Sequence, residues 1–213
     1  MSWALFELLI QASGFTVLIS SISIVIGLAI GMVVSAAMLS PSRVASVPAK
    51  IFVSFFRGVP LLVQLLLIYN LLPAIGLNVP GVVAAVVGLS LCTAAYQAEN
   101  LRGGFTSVPR GLLEAADMAG LTPIQQFVRI RVPIAFQLTL PALVSEAIMI
   151  LKSSSLVSVV GVVELTRMAQ DLSSSTYKPL DMFAAAGLLY LLINWVIAGL
   201  GTVLERRFRW GRA

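Results

Sequence analysis

The sequence predicts an all-α integral membrane fold: five spanning helices, with a short helical insert on one face between the third and fourth. Three observations carry that reading. Of 213 residues, 59% are hydrophobic and 11% charged, with a mean hydropathy of +0.99. An ordinary soluble domain carries roughly 25% charged residues, so too few charges remain here to cover a water-facing globule. The charges are bunched, leaving uncharged runs of the length a bilayer needs, about 20 residues each. Lys and Arg also fall almost wholly on alternate connections, an asymmetry that orients membrane chains.

The spans follow in order. Nothing is charged between Glu7 and Arg43, which places the first span at about 14–39. Before it, Trp3, Phe6 and Leu9 or Ile10 recur at helical spacing, fitting either an interfacial amphipathic helix or an extension of the span. Without a basic start, and with Glu7 interrupting the apolar run, these residues do not read as a cleaved signal peptide. Within the span, Gly27 and Gly31 form a GxxxG that permits close helix approach. The 41 uncharged residues between Arg57 and Glu99 are too many for one crossing. Pro73, Gly76, Asn78, Pro80 and Gly81 break them, giving spans at about 50–72 and 82–101. The fourth, about 132–163, is long enough to bend, and the run Lys152-Ser153-Ser154-Ser155 can loosen it. The fifth, 182–204, has 23 residues without a charge. All belong to one domain, residues 1–213.

An odd count puts the termini on opposite sides. One set of connections holds Arg43, Lys50, Arg57, Arg102, Arg110, Arg129, Arg131, Arg206, Arg207, Arg209 and Arg212; the other holds only Arg167 and Lys178. The positive-inside rule then sets the N-terminus outside and the C-terminus in the cytoplasm. It also accounts for the net charge of +5 without nucleic acid. Trp195 and Trp210 are candidate interfacial anchors of the last span. Arg57 and Arg102, near span ends, are explained by snorkelling.

The insert, 107–131, is more than a connector. Gly111 to Ala119 is rich in helix formers, and Gly120 is placed to stop that helix in a left-handed conformation. Thr122 can cap a second helix, with Pro123 at its first position and Gln125 completing a capping box. Arg129 and Arg131 alone do not make the basic face that DNA binding needs, so two short helices forming a protein-docking platform are expected.

Here the residues become recognisable. Glu114-Ala115-Ala116, then Gly120, then Ile130-Arg131-Val132-Pro133 resembles the EAA motif of ABC-importer permeases, with Val132 where Leu is usual. Arg57 to Gln64, RGVPLLVQ, is similar to the RGTPLLVQ of the polar amino-acid branch, the histidine/glutamine/arginine/opine permeases. Ala95-Tyr96, Glu99 and Arg102-Gly103-Gly104 resemble its AY-x-x-E-x-x-RGG. Leu151 to Ser158, LKSSSLVS, is similar to its LKDTSLVS, with Ser153 for Asp, and Glu164-Leu165-Thr166 follows. The resemblance covers about 51–172 and implies a type I importer permease fold in the bacterial inner membrane.

It implies partners too: a second permease, identical or related, two cytoplasmic ATPase subunits, an extracytoplasmic solute-binding protein and an amino-acid substrate. The chain has no GxxxxGK[ST] loop with which to cradle nucleotide phosphates. No cofactor is expected in it, ATP and Mg belonging to the ATPase. Coupling to that partner is expected through Arg110, Glu114, Ala115, Ala116, Asp117 and Gly120. No residue is expected to be catalytic or to bind metal: there is no histidine, and Cys92 is the one cysteine.

For the substrate the candidates are Glu146, Lys152, Ser153, Gln64 and Tyr69. A charge at the bilayer centre costs about 2.5–3.5 kcal/mol on insertion scales, so Glu146 and Lys152 should face protein or a wet cavity. Six residues apart, they lie about 240° round a helix from each other. Lys152 is suited to an α-carboxylate and Glu146 to an ammonium or cationic side chain, which leans towards basic amino acids. The alternative is that the two charges serve packing or pair with each other. Opines and acidic or neutral polar amino acids are the rival substrates; a membrane scaffold docking a cytoplasmic protein is the rival class.

Overall fold

Lipid admits only backbone that satisfies its own hydrogen bonds, and the elements follow that rule. The computed structural model describes residues 3–74 and 76–208, and every regular element among them is helical. Trp210, Arg209 and Arg212 lie outside the described residues.

Helix α1 (Trp3–Leu39) is one uninterrupted helix. It begins well before the expected start near Gly14, because no proline intervenes and Gly14 stands in open space. The residues around Trp3 thus extend the first span and form no separate interfacial element. Thirty-seven residues rise about 55 Å, more than the roughly 30 Å hydrocarbon core. The first turns therefore reach past it, and Leu9 packs there against Leu165, Ala169 and Met182.

The expected continuous span 50–72 is corrected. The chain forms α2 (Arg43–Gly58) and α3 (Leu61–Ala74), bent by 109°. Pro60 has no N–H and disfavours a helical residue before it; Val59 is extended, at φ −95° and ψ 134°. The exposed end of α2 is sealed from α3. The Gln64 side-chain amide donates to Phe56 O at 2.8 Å and to Val59 O at 2.7 Å.

Helix α4 (Gly81–Thr106) packs on α1 through the GxxxG. A Cβ at Gly27 would stand 2.6 Å from Thr93 Cβ, and one at Gly31 2.9 Å from Gln97 Cβ. The insert starts with α5 (Arg110–Met118) and turns at Gly120, φ +72°. Helix α6 (Pro123–Gln126) carries the anticipated capping box: Gln125 N donates to Thr122 Oγ1 at 3.3 Å and Thr122 N to Gln125 Oε1 at 2.9 Å. The second insert helix does not stop, however. One wide π-helical turn, Phe127–Arg131, runs it into α7 (Val132–Ser153). The serine run then tightens into a 3₁₀ segment, Ser154–Val160, ending at left-handed Gly161, φ +78°.

Where the sequence anticipated an outward loop stands α8 (Leu165–Thr176). Its signal is Leu165, Ala169 and Leu172, a helical spacing of buried apolar residues. The buried Glu164 caps it, accepting from Thr166 N at 2.9 Å, Arg167 N at 2.8 Å and Tyr190 Oη at 2.8 Å. Burial pushes this carboxyl above the ordinary carboxylate range, with the hydrogen bonds pulling the other way. Helix α9 (Pro179–Phe208) closes the bundle.

The contacts set directions. Gly27 meets Ser90 and Thr93 while Gly31 meets Ala94 and Gln97, so α1 and α4 run parallel. Gly104 meets Ala135 and Thr139, and Cys92 shares a cavity with Ile150, so α7 runs opposite to α4. Gly201 meets Val144 and Phe208 meets Phe136, so α9 opposes α7. One end of the bundle holds the starts of α1, α4 and α9 with α8; the other holds α5 and α6.

Candidate functional site

The bend at Pro60 is also what opens a cavity. The turn withdraws the chain from α4 and α7, leaving about 330 Å³ lined by Phe56, Arg57, Gly58, Val59, Pro60, Leu61, Cys92, Tyr96, Met149, Ile150 and Ser153. That volume is in the range of small-molecule sites. The Arg57 guanidinium stands over the Tyr96 ring, 5.3 Å from its centroid, a cation–π contact that orients it. Arg57 therefore does more than snorkel. It is the single charged residue among the lining groups.

Behind the wall lies Glu146, 6% exposed, with Oε1 unpartnered. It is within electrostatic range of both Cys92 and Arg57. A buried carboxylate without a partner is costly, which leaves Glu146 an unused acceptor within electrostatic range of a guanidinium. Ser153 lines the same cavity.

The other sequence candidates lie elsewhere. Lys152 is exposed, in line with Leu138, Pro141, Ser145 and Met149 on the outer face of α7. Glu146 faces inward, and the two do not pair: among the described residues the ion pairs are Arg102–Glu99 and Arg167–Asp171. Gln64 is buried at the bend with its amide N–H groups donated to Phe56 O and Val59 O and its Oε1 without a partner. Tyr69, further along α3, lies by Gly81, where a Cβ would be 3.7 Å from its ring. The cavity groups that sequence reasoning did not single out are Arg57 and Tyr96. Their signal was Pro60 directly after Arg57-Gly58-Val59, which forces a turn inside the apolar run.

At the opposite face of α4 from its start, α5 stands off the bundle. Ala116 is buried, while Arg110, Glu114, Ala115 and Asp117 are exposed. Asp117 accepts from the side chain of Gln126, and Gly120, in the left-handed region that favours glycine, holds the turn between α5 and α6.

Long apolar helices around a polar cavity, with a short polar helix held at one end, define a class: a membrane-embedded transport subunit. Comparison with known proteins gives the family. The model of the binding-protein-dependent transport system inner membrane component matches residues 23–210, and the chain belongs to that family. It is 38% identical to the nopaline transport system permease protein of Agrobacterium fabrum, over 94% of this chain and 87% of that one. It is 33% identical to the arginine transport system permease protein of Bacillus subtilis, over 94% and 92%. With the glutamine transport system permease protein of Escherichia coli it shares 32% identity over 97% and 95%. Among solved structures, an amino acid ABC transporter with histidines superposes with a TM-score of 0.89 at 34% identity, covering 94% of each chain. The inward-facing MetNI methionine ABC transporter shares the fold, with a TM-score of 0.83 at 21% identity. The chain is thus a permease subunit of an ABC importer of amino acids or opines, an inner-membrane component.

Proposed function

We propose that the chain is a single five-crossing domain that forms half of a translocation path and binds a polar amino acid in the cavity at Pro60. The observation that carries the substrate reading is Arg57 over Tyr96 with unpartnered Glu146 behind it. Arg57 takes the α-carboxylate through paired N–H donors. Glu146 takes the ammonium or a cationic side chain, and Ser153 offers a hydroxyl to the remainder. The count of five is supported by the parallel run of α1 and α4, which requires an odd number of crossings between them; the bent pair α2–α3 supplies one. The basic residues gather at the α5 end, which favours that end as cytoplasmic, with the N-terminus outside.

Two cytoplasmic ATPase subunits supply ATP hydrolysis with Mg, and α5 seats in one of them through Arg110, Glu114, Ala115, Ala116 and Asp117, with Gly120 fixing its angle. A second permease, identical or related, covers the α7 face that carries Lys152. An extracytoplasmic solute-binding protein delivers substrate at 73–80 and 167–181. An opine is the second reading, favoured by the lining itself: Arg57 is its one charge, and an opine carries an additional carboxylate.

Uptake into proteoliposomes containing the assembled importer tests the site. Arg57→Gln is expected to lower uptake of every substrate at least tenfold. Glu146→Gln should hit arginine and histidine harder than glutamine if Glu146 reads the side chain, and all three equally if it reads the ammonium. Unchanged kinetics for all three in both variants would remove the cavity from the path.

A further inference from the structure

A second concavity lies far from Pro60, at the α5 end of the bundle. Met32 and Leu39 of α1, Phe105 of α4, Phe127 of the π turn and Phe136 of α7 line about 400 Å³ of almost wholly apolar space. Phe105 and Phe127 of this lining stack on each other, with ring centroids 5.7 Å apart and planes 7° from parallel. From Met32 to Leu39 the groove follows α1 for about 10 Å, against about 15 Å for the hydrocarbon depth of one leaflet.

Its outer end is basic. Ser40 lines that end, three residues before Arg43, and Val132 lines it directly after Arg131. Arg131 also shares a smaller cavity with Phe127. Arg43, Arg129 and Arg131 are exposed and, among the described residues, form no ion pair. Of the acids at this end, Glu99 pairs with Arg102 and Asp117 accepts from Gln126. A groove as long as part of an acyl chain, apolar apart from Ser40 and flanked by exposed arginines where the chain leaves the membrane, is complementary to one class of molecule.

We propose that this groove holds one acyl chain of an anionic phospholipid from the leaflet at the α5 end, with Arg131 and Arg43 binding its phosphate. Guanidinium groups suit that headgroup because they bind phosphate through paired donors, and basic residues beside a membrane favour anionic lipid. The site rests on the membrane placement above but on neither the substrate nor the ATPase.

The test uses the assembled importer in nanodiscs, with brominated-chain phosphatidylglycerol or phosphatidylcholine in both leaflets. It reads the quenching of the signal that Phe105→Trp adds over the unaltered importer, whose own tryptophans include the exposed Trp3 and Trp195. Bromines quench tryptophan on contact. Stronger quenching by phosphatidylglycerol is expected, and Arg43→Gln with Arg131→Gln should weaken that preference roughly fivefold for each arginine removed. Equal quenching by the two lipids means ordinary annular lipid and overturns the proposal; no quenching by either means that protein covers the groove, and overturns it too. Should the tryptophan disturb the stacked rings, native mass spectrometry of the unaltered importer gives the second readout. Retained phosphatidylglycerol, lost in the double arginine variant, supports the site; equal retention in both refutes it.

Discussion

Gln64 shows how much one side chain does at the bend. Pro60 ends α2 and leaves its last carbonyls without helical donors, in a place where water is scarce. The two hydrogen bonds from the Gln64 amide, to Phe56 O and Val59 O, satisfy two of them and tie α3 to α2. Gln64→Leu leaves both carbonyls unsatisfied at similar side-chain volume, a cost of about 1–3 kcal/mol for such a group. The detergent-solubilised protein should melt several degrees lower, and substrate affinity should fall because Arg57 loses its fixed position. An unchanged melting temperature would show that the bend stands without this side chain. Glu146 differs in that no hydrogen bond of its side chain ties helices together: its Oε1 is a buried acceptor without a donor, whereas Gln64, whose Oε1 is likewise unpartnered, is held at the bend by both of its N–H bonds.

Among the elements, α5 is the one whose burial is least explained within the chain. Ala116 anchors it, while Met118, Glu114 and Arg110 point away from the bundle. Its angle depends on Gly120, whose φ of +72° costs a side-chain-bearing residue about 1–2 kcal/mol. In Gly120→Asp the spanning helices should form and insert as before, while the turn relaxes and α5 tilts. ATP hydrolysis by the reconstituted importer should then persist without uptake. Normal uptake per ATP in proteoliposomes would show that the angle of α5 carries no coupling. The cap of α8 by Glu164 is the counterpart at the other end, joining α8 to α9 through Tyr190 and to α1 through Thr16 Oγ1, which accepts from Leu165 N at 3.0 Å.

At the scale of the whole molecule, the face of α7 carrying Leu138, Pro141, Ser145, Met149 and Lys152 is exposed, and a lysine at membrane depth is expensive against lipid. The second permease proposed above covers this face and removes the cost. Ser145→Cys, with Cys92→Ser to leave one thiol, should cross-link into a dimer in native membranes if the chain pairs with itself along this face. If it pairs with a related permease, the cross-link should appear only when a cysteine is placed on that partner. A thiol freely labelled by lipid-soluble maleimide, with no cross-link to either, would rule the face out as the subunit contact.

The sequence by itself determined the helical membrane class, the break between 74 and 81, the capping box at Thr122, the turn at Gly120 and the loosening at Ser153 to Ser155. Each depends on neighbours in the chain, through hydrophobic run length, proline and glycine geometry, or hydrogen bonds within three residues. Only the tertiary structure decided that α2 and α3 meet at 109°, that Gly27 and Gly31 serve α4, and that Arg57 joins Tyr96 and Ser153 while Lys152 turns away. These relations bring together residues from positions 57, 96 and 153, and which side of a helix meets another helix is set by packing across the bundle. Apolar periodicity says little on that point, because in a membrane the faces turned to lipid and to protein are both apolar.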